Sequence, residues 1–234
     1  RSDPRPEYPS QVAAWTQRML SQPSQINAPL IFGSLRKVNT RTRNAAYVIE
    51  PHGGYTIYDK RELIPFGERI PFADTFPWLK GAVQGMGHLD PGTQPPLVEV
   101  AGLQLHLSIC YEAILPVQVA RDAKDSDLLV NLTNDEWFGR TSAPELHLMS
   151  QVFRAIETRR PLVRVTNTGI SAWVDPGGRV HGRSALFEAS HGIWEVPLLR
   201  SWSPFASSPR VSVALLLGLG LLPWVWGRVR RRPR

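Results

Sequence analysis

The run Leu103-Gln104-Leu105-His106-Leu107-Ser108-Ile109-Cys110 places the chain's single cysteine at the end of an alternating apolar and polar stretch. Alternation with period two marks a half-buried strand, and Ala113 to Lys124 has the length of a helix that follows it. A thiol at such a junction can stand at the sheet edge, where the free amides of a helix N-terminus favour a thiolate and can receive an oxyanion. That chemistry is nucleophilic acyl transfer. A free cysteine can equally be a small inert core residue, and the local pattern leaves both readings open. Glu112, two residues on, can orient a neighbouring cation or merely complement the helix dipole.

Two other segments hold residue types able to act with a thiol. In Tyr58-Asp59-Lys60-Arg61-Glu62-Leu63-Ile64-Pro65-Phe66-Gly67-Glu68 a lysine is followed eight residues later by a glutamate, across a Pro-Phe-Gly turn. Taken alone the segment says little, because lysines are usually solvated. Asn134-Asp135-Glu136-Trp137-Phe138-Gly139 can likewise be an ordinary turn with aromatic anchors. Six histidines show no ligand-like pairing, and a lone cysteine forms neither an intrachain disulfide nor a thiolate cage, so no metal and no cofactor is expected. His147 reads as a structural hydrogen-bonding residue.

The elements that must carry these residues alternate in type. Val12, Trp15 and Met19 share one face of a predicted helix over Pro9 to Leu20, with Ser10 as its cap, and a turn-rich stretch runs from Ser21 to Pro29. Leu30 to Gly33 and Ala45 to Ile49 have buried-strand length, and Asp59 to Asp90, rich in Pro and Gly, reads as long functional loops. Leu128 to Leu132 is a further strand. In Pro144 to Arg160, Leu146, Met149, Val152, Phe153 and Ile156 recur at helical spacing, with Pro144 suited to the first turn and Pro161 to the stop. Strands at Leu162 to Val165 and Ile170 to Val174 follow, the second closed by Asp175-Pro176-Gly177-Gly178. Strand, helix, strand in succession argues for one layered α/β domain, which 234 residues can fill.

The formal charge of +7 does not indicate a nucleic-acid partner, since Arg228, Arg230, Arg231, Arg232 and Arg234 supply five of it, leaving about +2 for the body. Before that block, Val211 to Gly227 carries no charge and sits at the lower length limit for crossing a bilayer, with Trp224 and Trp226 near the interface. A buried or surface-lying helix is the other reading of that run. The positive-inside rule would put the C-terminus in the cytoplasm and the folded domain on the opposite face. With Arg1 in first place and a polar start, the chain is expected to be a C-terminal piece of something longer.

Together and in this order, Asp59-Lys60 with Pro65-Phe66-Gly67-Glu68, Ile109-Cys110-Tyr111-Glu112, and Asn131 to Gly139 resemble the nitrilase, or carbon-nitrogen hydrolase, superfamily. Within it, the Pro-Phe-Gly-Glu, Cys-Tyr-Glu and Trp-Phe-Gly set, Glu157-Thr158-Arg159-Arg160-Pro161, Thr166-Asn167-Thr168-Gly169-Ile170 and the apolar tail with a basic end look like the apolipoprotein N-acyltransferase branch. The resemblance implies a nitrilase-like α-β-β-α sandwich over residues 1–205, a transmembrane helix over 206–227 and a basic cytoplasmic tail over 228–234. It implies a Glu-Lys-Cys triad in which Cys110 is the nucleophile and Lys60 the lysine, with Glu68, Glu112 and Tyr111 supporting them and Trp137 and Phe138 lining the substrate site. The family's triad glutamate lies in a Trp-Pro-Glu segment that this sequence lacks. Arg5-Pro6-Glu7 keeps the Pro-Glu pair, but the base is expected upstream of Arg1.

The implied partners are a phospholipid acyl donor, a diacylglyceryl-modified apolipoprotein and the bacterial inner membrane, with the catalytic domain on its periplasmic face. Loops such as Ile70 to Leu79, with Phe72, Phe76, Pro77 and Trp78, would touch acyl chain or bilayer, or else pack on the domain itself. The alternatives are a nitrilase-type amidase, against which the tail argues, and an inactive membrane-tethered binding domain, against which the presence of both Lys60 and Cys110 argues.

Overall fold

A computed structural model describes residues 18–19, 21–25, 27–72, 75 and 89–230. Among these the chain forms a three-stranded sheet, a six-stranded sheet and a layer of helices. The first sheet is the antiparallel meander β1 (Leu30–Val38), β2 (Arg41–Ile49) and β3 (Tyr55–Asp59). The second has the order β4 (Leu97–Val100), β5 (Leu103–Ile109), β6 (Leu128–Thr133), β7 (Leu162–Thr166), β8 (Ala172–Val174) and β9 (Val180–His181). The pairs β5–β6 and β6–β7 are parallel, and the remaining pairs are antiparallel.

Pleating divides the core in two. Leu105, Leu107 and Ile109 of β5 and Val130 and Leu132 of β6 meet Ala46, Val48 and Tyr58 of the first sheet. On the other face Leu129 and Leu162 pack with Val119 of helix α1 (Pro116–Asp122) and Leu148, Val152 and Ala155 of helix α2 (Ala143–Thr158). This is the layered α/β domain expected from the alternation of elements, in the sandwich form that the family resemblance implies.

Several expectations are corrected. β1 and β2 extend well past the apolar runs, because a hairpin turning at Asn39, with its positive φ of 57°, pairs Leu30 with Ile49 and Val38 with Arg41. β3 and β4 are strands the sequence did not reveal. The segment 21–25, expected as turns, is helical, and the Ser21 and Ser24 hydroxyls donate to carbonyls three residues back. Cys110–Ile114 is a 3-10 turn rather than the start of a long helix, since Pro116 begins α1 anew at its first turn. The apolar stripe of α2 is met only in part: Val152 is buried and Ile156 packs on the core as expected, but Leu146, Met149 and Phe153 are exposed, and Leu148 and Ala155 share the buried face with His147, Gln151, Arg154 and Thr158. The predicted helix over Pro9 to Leu20, with Ser10, Val12 and Trp15, lies outside the described residues apart from positions 18 and 19, and so does Glu7.

After the short helix α3 (Pro204–Ser207), α4 runs from Pro209 to Arg230, so its bounds differ from the expected 206–227 span. Among the described residues no helix is long and apolar enough to cross a membrane. The Trp224 and Trp226 side chains and residues 231–234 fall outside the described residues.

Candidate active site

Cys110 follows β5 directly and has a φ of 52°, a left-handed conformation that a non-glycine residue adopts only when its surroundings hold it there. It is partly buried and packs at the edge of the core between the two sheets. The conformation breaks the strand and starts the 3-10 turn.

Glu112 holds that turn. Its Oε2 accepts the Ile109 N–H at 2.8 Å, closing the turn on the strand that leads into it. Its Oε1 accepts the Tyr58 hydroxyl at 2.8 Å and the Arg61 and Glu62 N–H groups at 2.7 and 3.1 Å. One buried carboxylate therefore fastens the residues on both sides of Lys60 to the residues on both sides of Cys110. Burial pushes the Glu112 carboxyl up, while the four donors favour its anion. Arg61 adds a second tie, to Asp122 of α1 at 3.0 Å, and Arg154 of α2 donates to the Ile114 carbonyl at 2.8 Å from beneath.

Lys60 leaves β3 with its N–H on the Asn44 carbonyl and its own carbonyl accepting from Gly92, both at 2.8 Å. Its side chain is 0% exposed. A lysine so buried needs a partner, and the turn at Pro65-Phe66-Gly67, with Phe66 at a φ of 60°, brings Glu68 back to it. The ammonium donates to both Glu68 oxygens, at 2.8 and 2.6 Å, and Glu68 also accepts the Ile64 N–H at 2.9 Å. Asp59 stays outside this group: Arg36 and Arg43 hold its carboxylate, and although burial pushes its pKa up, their bonds bring it below the ordinary range.

Of the residues expected at the site, Lys60 and Glu68 pair directly, and Glu112 ties the backbone on either side of Lys60 to the residue before Cys110. Tyr111 walls a groove of about 460 Å³ with Leu63, Pro65, Leu115 and Pro116. Cys110 is not among that groove's walls, so the groove adjoins the thiol's turn rather than covering it. Trp137 is 86% exposed in the turn after β6, whereas Phe138 packs edge-on against His147. Phe72 projects into solvent, and Phe76, Pro77 and Trp78 lie outside the described residues.

Sequence reasoning missed the buried charges of the helix side. Arg164 of β7 donates to Asp135, and Asp135 Oδ1 also lies 3.0 Å from His147 Nδ1, the structural role expected for that histidine. The signal present was an arginine inside the apolar strand Leu162-Val163-Arg164-Val165, where a charge is costly without a partner.

The family model for carbon-nitrogen hydrolases matches residues 5–202. Among curated relatives, an apolipoprotein N-acyltransferase of Geobacter metallireducens is 41% identical over 147 residues, covering 62% of this chain and 28% of that protein. One of Bradyrhizobium diazoefficiens is 38% identical over 216 residues, covering 87% and 40%. The chain thus spans only about a third of the length of such relatives. Solved structures share the fold: an amidase of Nesterenkonia sp. AN1, with acrylamide added at its active-site cysteine, matches with a TM-score of 0.58 at 20% identity, covering 88% of this chain and 76% of that one. A carbon-nitrogen hydrolase superfamily protein of Xanthomonas campestris matches at 0.56 and 18% identity, covering 76% and 64%. By the extent of the family match and the fold that carries it, the chain belongs to the carbon-nitrogen hydrolases.

Proposed function

We propose that this chain carries the catalytic cysteine and lysine of an N-acyltransferase that moves a fatty acyl group from phospholipid to the N-terminal amine of a diacylglyceryl-modified apolipoprotein. The observation that carries the proposal is the Glu112 knot, which joins the Lys60 loop to the Cys110 turn by four hydrogen bonds. The names of the relatives support the acyl transfer and its apolipoprotein amine acceptor, and the phospholipid donor follows from the family resemblance alone.

In the first step a carboxylate base takes the Cys110 proton, the sulfur attacks an acyl ester of the phospholipid, and the lyso-phospholipid leaves with the proton. In the second, the α-amine of the lipid-bearing N-terminal cysteine attacks the thioester, forms the amide and returns the proton to the thiol. The Lys60 ammonium, aimed by Glu68, and the amides of the Cys110 turn stabilise the oxyanion of each tetrahedral intermediate, a donor being worth roughly a hundredfold to a thousandfold in rate. Trp137 and Phe138 contribute apolar surface at the substrate side.

Residues 1–205 form the catalytic domain in this reading, and α4 anchors it at the inner membrane with the domain on the periplasmic face. Support comes from the uncharged run Val211 to Gly227 and from the exposed side chains of Leu215, Leu216, Leu217 and Leu219. Labelling of single cysteines placed at either end of α4, in intact and in opened cells, tests the topology; equal labelling of both ends in intact cells rejects a span.

The activity is tested on the full-length encoded protein, using phospholipid with one labelled acyl chain and mass spectrometry of the Cys110 peptide. A labelled thioester that a diacylglyceryl-modified peptide discharges is expected. Turnover of simple amides with no lipid adduct makes the protein an amidase, and unchanged activity in Cys110→Ala makes the fold a binding module.

A further inference from the structure

Two motifs, Asn134-Asp135 and Thr166-Asn167-Thr168-Gly169-Ile170, have no part in the chemistry above, yet they meet in one buried cluster. Across the parallel strands Ser108, Asn131 and Arg164 stand in register, one beside the next, on the helix-facing side of the sheet. All three are buried, Arg164 and Asn131 completely. Asn131 donates to the Ser108 hydroxyl at 3.1 Å, and its carbonyl oxygen accepts from Arg164 Nη1 at 3.4 Å and from Gln151 at 2.9 Å.

The remaining donors of Arg164 go to Asp135 and, at 3.1 Å, to the Ile170 carbonyl. Gly169 lets the loop close over this pair, since a methyl there would run into the Asp135 carboxylate and stand 2.8 Å from its Cβ. His147 Nδ1 lies 3.0 Å from Asp135 Oδ1 and 3.3 Å from Arg164 Nη2, and its Nε2 lies 3.2 Å from the Gln151 amide. Arg164 and Asp135 form the ion pair at the centre of the cluster.

The sandwich thus buries a full ion pair close to its nucleophile, in register with a position two residues before Cys110 on β5. Replacing such a pair by apolar residues is often neutral or stabilising, so its presence is weak evidence for a stabilising role. Burial lowers the Arg164 pKa, and its interactions with Asp135 and, less, with Cys110 act against that. Burial pushes the Asp135 carboxyl up, but the bonds and charges of His147, Arg164 and Thr133 outweigh it and keep it ionised.

We infer that Arg164 is a positioning residue for the nucleophile, held by Asp135 and the Gly169-Ile170 loop so that its fixed positive charge raises the potential at Cys110 from the helix side while Lys60 acts from the loop side. The inference deepens the proposed acyl transfer and rests on Cys110 being its nucleophile. The charged groups on the elements that carry or flank the thiol are Lys60 and Glu68 on the loop, Glu112 on its own turn, and Arg164 and Asp135 on the helix side, with the His147 ring against Asp135.

A charge acts on the charge of an attacking reagent, whereas a packing defect does not. The test is the ratio of Cys110 alkylation rates by anionic iodoacetate and neutral iodoacetamide in the full-length protein. Arg164→Gln should lower that ratio about fivefold and Asp135→Asn raise it by about the same factor, as expected for one charge several ångströms away in a partly polar medium. Arg164→Lys should restore it. The double variant Arg164→Gln with Asp135→Asn leaves no buried unpaired charge and so guards against misfolding; the two opposite shifts should cancel and return its ratio to near that of the wild type. Equal ratios across all four variants overturn the inference. Because alkylation needs no phospholipid, such a result leaves the acyl-transfer reading standing, whereas absence of the acyl adduct from wild-type protein removes that reading alone.

Discussion

Glu112 offers the sharpest test of how the site is held, because its two oxygens serve different partners. In Glu112→Gln the amide can keep its oxygen toward Tyr58, Arg61 and Glu62, and its NH2 then faces the Ile109 N–H, donor against donor. The opposite orientation would lose three bonds to keep one, so the first prevails. The loss is one charge-assisted bond and one buried N–H without an acceptor, about 2–3 kcal/mol, partly offset because a neutral amide is cheaper to bury than a carboxylate. For a domain of this size that lowers Tm by roughly 5–10 °C.

The damage falls on the Cys110 turn and spares the Lys60 loop. A nucleophile displaced by about 1 Å costs on the order of a hundredfold in rate, so formation of the Cys110 acyl adduct should slow by about that factor. Rapid mixing with labelled phospholipid, quenching and intact-protein mass spectrometry measure it. Tyr58→Phe is the control, since it removes one donor from the same carboxylate and leaves the Ile109 bond intact; it should cost about 1 kcal/mol and change the rate little. Glu112→Ala is less informative, because four buried donors lose their acceptor at once and most of a typical domain's stability goes with them. Glu112→Gln acylated within threefold of the wild-type rate, despite a lowered Tm, would refute the role assigned to the knot.

Cys110→Ser and Lys60→Ala should each abolish the acyl adduct, and Cys110→Ser should keep the wild-type Tm because the thiol's packing is conserved; adduct formation at the wild-type rate in either variant contradicts the assignment. Gly169→Ala should destabilise by about 2–4 kcal/mol, as the new methyl displaces the Asp135 carboxylate from Arg164 and His147; a denaturation midpoint equal to wild type would show that the loop gives way freely. His106 supplies a pH dependence. Burial pushes its imidazole down from 6.5 to about 4, so the unfolded chain takes up a proton through that interval while the folded chain does not. Its stabilising contribution is whole above pH 6.5 and is lost as pH falls to 4, about 3 kcal/mol in all. Urea unfolding should therefore show a shallower decline over pH 6.5 to 4 in His106→Met than in wild type, and identical slopes would dismiss the effect.

The parts of the fold visible in the sequence are those whose burial leaves a periodic trace. β5 shows as an alternation because its odd positions face the other sheet, β6 as an apolar run because both its faces are buried, and α2 is bounded by Pro144 and Pro161. β3 and β4 escaped because Tyr55-Thr56 and Glu99 face solvent and the strands are short, so neither carries an apolar run. Cys110, Lys60, Glu68 and Glu112 stand out as a family set rather than by local pattern. Nothing in the spacing of Tyr58, Arg61 and Ile109 announces that one carboxylate binds all three, because a hydrogen-bond acceptor shared across about fifty residues leaves no periodicity.

Helix α2 shows why the rest was hidden. Its sequence offers Leu146, Met149, Val152, Phe153 and Ile156 as the face to bury, yet of these only Val152 and Ile156 pack on the core, and the inward face adds His147, Gln151, Arg154 and Thr158 to Leu148, Val152 and Ala155. A helix chosen only to seal a hydrocarbon core would carry apolar residues at those four positions as well, since burying Leu and Phe is favourable by about 1.5–3 kcal/mol each. Those positions are set by specific polar work: Arg154 bonds the Ile114 carbonyl beneath the Cys110 turn and pairs with Glu157, while His147 and Gln151 complete the cluster around Arg164. Arg154→Met therefore separates the two demands. It keeps apolar bulk on the helix but removes the bond to the turn, so Cys110 acylation should fall about tenfold or more while α2 stays packed and Tm drops by only a few degrees. Acylation at the wild-type rate would mean that the inward polar face serves the fold alone, and that the turn bearing the thiol needs no support from the helix.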